Sequence, residues 1–218
     1  MRLFIVVCMC AISATASAEP RGGTIAGSVQ VLVGGAPKED RSGVIVYVES
    51  VAGRRRGAPR KHEMFQKDKA FVPALLVVEK GDTVEFPNRD LIFHNVFSLS
   101  KGVSFDLGLH KSGTRPTTTF DRAGAIDVFC NIHPQMAATI RVLDNGHYAV
   151  TERDGSFRIT GVPAGTHTVV AWIRNGKEQR QPVTVAPGQG AQASFELVEI
   201  KRMGTHLRKD GTPYPRYK

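Results

Sequence analysis

"FCNIHPQM", residues 129–136, joins the end of one β-branched run to the start of another and carries Cys130, His133 and Met136 at intervals of three. Ile126 to Phe129 reads as the strand before it and Thr139 to Leu143 as the strand after it, which puts the three residues on a tight loop at one end of a β structure. Spacings of three on such a loop let side chains converge on one point. The cluster is then a metal site, a nucleophile with its base, or an accident of composition.

The chain on either side is built of short β-branched runs broken by Gly, Pro, Asp and Asn. Ile25 to Val33, Val44 to Val48, Leu75 to Val78, Thr83 to Phe86, His94 to Ser98 and Thr117 to Phe120 are strand candidates, with turns such as Glu79-Lys80-Gly81-Asp82 between them. Many short strands at this spacing predict an all-β chain with a Greek-key sandwich or barrel over residues 24–143. The texture changes after Leu143. A compact series follows, with turns at Asp154-Gly155, Pro163-Ala164-Gly165 and Pro187-Gly188 and a hairpin at Asn175-Gly176. It predicts a second, small β-sandwich module over residues 144–200, of a size that is marginal alone. Residues 201–218 are basic with little apolar periodicity, and read as a mobile tail or an extension lying on another surface.

Residues 1–18 have the layout of a secretory signal: Arg2, an apolar run from Leu3 to Ile12, and small residues closing on Ala16-Ser17-Ala18. The run is too short to span a bilayer, and no later stretch approaches the roughly 20 apolar residues that spanning needs. The expected location is the periplasm, with no integral membrane segment after cleavage. Cys8 and Cys10 would leave with the signal, so Cys130 becomes a lone thiol in an oxidising compartment, where a bound metal is one way to protect it. The formal net charge of +9, or +8 once Arg2 leaves with the signal (28 Lys and Arg against 20 Asp and Glu), favours acidic protein partners or anionic membrane surfaces. The run Arg54-Arg55-Arg56 with Arg60-Lys61 is read as a solvated loop, because an exported chain rarely meets nucleic acid.

Three ligands make a poor site for most metals, and His94 in "LIFHNVFS", polar in an apolar strand, is the best fourth. A thiolate, a thioether and two imidazoles form a soft-to-borderline set. That set favours copper, and structural zinc seldom uses methionine. His94, Cys130 and His133 would form a trigonal plane, with Met136 as a long axial ligand.

The segment from Phe71 to Leu143, with "VVEKGDTVEFPNRD", "FHNVFS", "FDLG" and "FCNIHPQM" in this order, resembles a cupredoxin, and its Cys-x-x-His-x-x-Met spacing is similar to the short-loop, amicyanin-like branch. The resemblance implies a single type 1 copper held by His94, Cys130, His133 and Met136. It implies that Asn95 ties the ligand strand to the cysteine loop, and that His133 lies near the surface, rimmed by Ile132, Pro134 and Phe97. The function it implies is one-electron transfer between redox partners, without catalysis; the positive charge balance points to an acidic cytochrome among those partners. "TERDGSFRITGVPAGTHTVVAW" resembles a carboxypeptidase-regulatory-like, or transthyretin-like, module, which implies docking or stability. "GSVQVLVGGAPKEDRSGVIVYVES" could belong to such a module as well.

Other readings are weaker. A cysteine-histidine hydrolase finds no orienting third group and no use for His94 or Met136. His62-Glu63 fails as the start of a zinc-protease helix, since Gln66 stands where the second histidine belongs. A multicopper oxidase needs more than the seven histidines present. His110, His147, His167 and His206 have no spacing partners and are assigned surface or capping roles. The rival from another class is a copper-binding protein that delivers copper or scaffolds a complex without redox turnover.

Overall fold

The computed structural model describes residues 22–51, 57–200 and 205–214. The expected secretory signal at residues 1–18, Arg54 to Arg56 and residues 201–204 and 215–218 of the basic tail lie outside them. The described residues are all-β, with no helix.

In chain order the strands are β1 (Gly23–Val33), β2 (Ala36–Pro37), β3 (Ile45–Val48), β4 (Lys61–Glu63), β5 (Phe65–Lys67), β6 (Ala70–Val72), β7 (Leu75–Glu79), β8 (Asp82–Glu85) and β9 (His94–Ser100). They continue as β10 (Val103–His110), β11 (Thr117–Phe120), β12 (Gly124–Phe129), β13 (Ala137–Leu143), β14 (Tyr148–Val150), β15 (Ser156–Val162), β16 (Gly165–Trp172), β17 (Gln179–Val185) and β18 (Gly190–Glu199).

Two sandwiches result. In the first, the sheet β10-β9-β12-β13-β7 packs on the sheet β11-β8-β4. Val84, Phe86 and Phe120 from one side meet Val96, Ile126, Val128, Ile140 and Val142 from the other. In the second, β15-β1-β18 faces β14-β3-β16-β17. Its core joins Ile25, Val29 and Val31 of β1 to Val46, Val48, Val169 and Ala171 of the opposite sheet.

The second sandwich redraws the boundary expected from sequence. Residues 24–50 do not extend the first sandwich. β1 runs antiparallel to β15 and parallel to β18, from Thr24 beside Gly190 to Val33 beside Glu199, and β3 lies between β14 and β16. The reason is backbone proximity as well as apolar content. A Cβ on Gly27 would sit 1.7 Å from the Ala193 carbonyl oxygen, so only glycine lets β1 and β18 lie this close. The first sandwich is thus spliced into the chain between two segments of the second.

The two units share an apolar seam. In "IVYV" of β3, Val46 and Val48 enter the second core, while Ile45 and Tyr47 face the other way. β16 does the same, sending Val170 and Trp172 outward onto Leu143, Leu75 and Val77 of the first sandwich. A continuous apolar run marks these strands because both faces are covered. Arg141 of β13 is held in the seam, its guanidinium carbon 5.1 Å from the centres of the Tyr47 and Trp172 rings, and it donates to the Tyr47 hydroxyl at 2.5 Å.

Pro182 fits its strand because β17 is at an edge, paired on one side only by β16. Residues 205–214 lie against the first sandwich, the second of the two fates open to the tail. His110 and His147, assigned surface or capping roles from sequence, are buried, which removes the surface reading for both.

Candidate metal centre

The loop after Cys130 is closed by its own backbone. Phe129 and Ala137 are the last pair of the β12–β13 ladder. Beyond it the Cys130 N–H donates to the Met136 carbonyl at 3.2 Å, and the Met136 N–H to the His133 carbonyl at 3.0 Å. The second bond makes His133 to Met136 a β-turn with Pro134 at its second position, where a fixed φ is an advantage. Sequence and turn chemistry together place Cys130, His133 and Met136 around one short arch.

His94 opens β9 and meets that arch from the neighbouring strand. Its Nδ1 lies 3.1 Å from His133 Nδ1 and 4.0 Å from Cys130 Sγ, and His133 Nδ1 lies 3.6 Å from the same sulfur. The three donor atoms form a small triangle. His94 and Cys130 are fully buried, Met136 nearly so in the same apolar cluster, and His133 is half-buried. All four predicted ligand residues are brought to one end of the sandwich.

One partner was missed in the sequence. Asp90 Oδ2 accepts from His94 Nε2 at 2.8 Å, which puts that ring's proton on Nε2 and leaves an unshared pair on Nδ1, facing the sulfur. Burial alone would raise the Asp90 carboxyl. The Lys69 N–H, the His94 ring and the Asp68 N–H outweigh it and hold the carboxyl at about 2, so it is ionised. Those two N–H groups come from the β5–β6 hairpin, whose turn residues Asp68 and Lys69 both have positive φ, and they reach Asp90 at 2.8 and 3.0 Å. A carboxylate four residues before a histidine in the "PNRD" turn was the available signal. Its function depends on a hairpin that two strands of only three residues each do not announce.

His133 is lowered by burial first, then by His94 and Lys69, and a neutral imidazole is the form that can ligate. Two imidazole nitrogens and a cysteine sulfur within 4.8 Å of one another, with a buried thioether on the same arch, suit a soft-to-borderline metal and fit copper. Asp90 already fixes the His94 tautomer that such a site needs.

Two expectations need correction. Asn95 does not reach the cysteine loop. Its Nδ2 donates to Asp106 Oδ1 at 2.8 Å and to the Gly108 carbonyl at 2.7 Å, which ties β9 to β10, and its buried Oδ1 has no partner among the described residues. The bulge between Asp106 and Leu109 is what points these acceptors inward. Phe97 is also not part of a surface rim, since it is buried against Phe129. Ile132 is 42 % exposed, and the apolar residues just before His94 are exposed too: Leu91 at 96 %, Ile92 at 41 % and Phe93 at 53 %.

The carboxypeptidase regulatory-like domain family matches residues 133–198, a span that begins on the loop after Cys130, takes in β13 of the first sandwich and covers the second sandwich without β1, β2 and β3. No curated protein sequence matches the chain. Among solved structures, a copper-containing nitrite reductase from Thermus scotoductus is 25% identical with a TM-score of 0.38, over 45% of this chain and 26% of that one. The chain thus spans about a quarter of that reductase. A purple cupredoxin from Nitrosopumilus maritimus is 22% identical with a TM-score of 0.33, over 37% of this chain and 98% of its own. A reduced Cu(I) mutant of amicyanin is 23% identical with a TM-score of 0.36, over 44% and 97%.

Proposed function

We propose that this chain is an exported type 1 copper protein that passes single electrons between redox partners. The observation that carries the reading is the triangle of His94 Nδ1, Cys130 Sγ and His133 Nδ1, with sides of 3.1 to 4.0 Å, in a buried apolar setting. Copper, when bound, supplies a one-electron couple between its two oxidation states.

The chain's own residues prepare and insulate that couple. The β12–β13 ladder and the Pro134 turn fix Cys130, His133 and Met136 on one arch, while Asp90 fixes the His94 ring from behind. A site that cannot relax costs little reorganisation when charge changes. Cys130 and Met136 belong to the same buried apolar cluster as Phe86, Met64 and Val96, a setting that excludes water. His133 is the half-buried ligand, and Ile132 with Leu91, Ile92 and Phe93 offers a partner an apolar contact at the ends of the two ligand segments. The positive balance of the chain would draw an acidic partner such as a cytochrome. Full burial of His94, Cys130 and Met136 favours holding the metal over handing it on, and so favours electron transfer over delivery.

The test is spectroscopic. Cu(II) added to the purified mature protein gives an intense sulfur-to-copper absorption band that ascorbate bleaches, and Cys130→Ala removes it. A protein that stays colourless and takes zinc sinks the reading, and rapid loss of copper to a chelator turns it towards delivery.

A further inference from the structure

We propose that residues 205–214 form a strap belonging to the metal centre, in which Tyr214 positions the sulfur ligand through the backbone of Cys130. The inference deepens the copper reading and rests on it for two of its three readouts.

Four contacts fasten the strap. The Tyr214 hydroxyl donates to the Cys130 carbonyl at 2.5 Å. The Lys209 N–H donates to Asn131 Oδ1 at 2.8 Å, on the very next residue of the ligand loop. The Lys209 ammonium pairs with Asp106 Oδ2 at 2.6 Å, and the other oxygen of Asp106 holds Asn95, the neighbour of His94. The His206 ring stacks on Phe129 at 4.3 Å and 22°, and Tyr214 stands edge-on to His206 at 5.2 Å. The strap keeps its own shape through a turn in which the Gly211 N–H donates to the Arg208 carbonyl and the Arg208 N–H to the Thr212 carbonyl. It therefore reaches both ligand-bearing segments from outside.

The link to the sulfur is geometric. The carbonyl and the Cβ of Cys130 share one Cα, so pinning the oxygen limits where Sγ can point. The cross-tie that Asn95 was expected to make with the cysteine loop is not made by Asn95, and the strap supplies one from the outer face: Asn95 to Asp106 to Lys209 to Asn131. Outer partners of this kind orient ligands and commonly govern metal affinity.

Three measurements test it. In the metal-free protein, a chain ending at residue 204 should exchange the amides of residues 129–136 roughly ten-fold faster than the full chain, the scale of losing two net hydrogen bonds. Tyr214→Phe keeps the ring against His206 and deletes only the donated hydroxyl. With copper bound, that variant should shift the sulfur-to-copper band and speed extraction by a chelator about 10-fold. Unchanged exchange on truncation, or a Phe variant with native band and extraction rate, overturns the proposal. A protein that takes up no copper defeats the preceding section's reading, while the exchange arm still decides the strap.

Discussion

Asp90 shows how much of a candidate metal centre is set one bond away from the residues that would ligate. It accepts from His94 and is itself held by two backbone N–H groups of a tight hairpin, so the carboxylate cannot swing aside. Asp90→Ala removes the acceptor and frees the His94 ring to turn or change tautomer. We expect the apparent copper affinity to fall by about 10- to 100-fold, read by competition with a chelator of known strength, while the far-ultraviolet spectrum stays β-like. Unaltered affinity would mean that packing alone orients His94. The candidate ligands were legible in the sequence because each is a distinct chemical type at a distinct spacing. Asp90 and Tyr214 were not, because a carboxylate in a turn and a tyrosine in a basic tail acquire roles only when distant segments fold against them.

The strands divide in the same way. Runs of β-branched residues with clear turns, such as Thr117–Phe120, are where the sequence puts them, since alternation and turn chemistry agree there. β10 was missed although Val103, Phe105 and Leu107 alternate towards the first core, because the bulge at Asp106 to Leu109 breaks the pattern midway. β4, β5 and β6 are three residues each, and "KHE" carries no apolar signal at all. β1 is the opposite case: its strand character was legible, and so was the alternative that its segment belongs with the second module, but the strands it pairs with were not, for pairing is decided by fit. Gly27 is the residue to test. Gly27→Val drives a branched side chain into the Ala193 backbone and should cost about 3 kcal/mol or more, at the high end of overpacking, read as a lower urea midpoint for the second sandwich. A native midpoint would show that β1 can move off β18 at little cost.

For the whole molecule, the domain line matters more than the strand list. The second sandwich takes Ile25, Val29, Val31, Val44, Val46 and Val48 from residues before the first one begins. At roughly 1.5 kcal/mol or more for each buried aliphatic side chain, their loss is comparable to the entire stability of a domain. A fragment of residues 144–200 should therefore show no cooperative thermal transition, whereas residues 22–50 added to it through a linker should restore one. A sharp melt from 144–200 alone would refute the assignment. The seam adds coupling between the units: Arg141, on the strand that follows the ligand loop, is clasped by rings from the second sandwich.

Thr24 rests beside Gly190, with the whole first sandwich emerging in the interval. During synthesis β1 is finished long before β15 and β18, the strands it must lie along, exist, so until then it can pair only at its end, where Leu32 and Val33 meet β2. The first sandwich, whose strands are all closer neighbours in the chain, can assemble meanwhile and draw the two ends of its host together. The order of birth and the order of folding are thus reversed for the second sandwich, and β1, earliest made, is among the last strands to find its place.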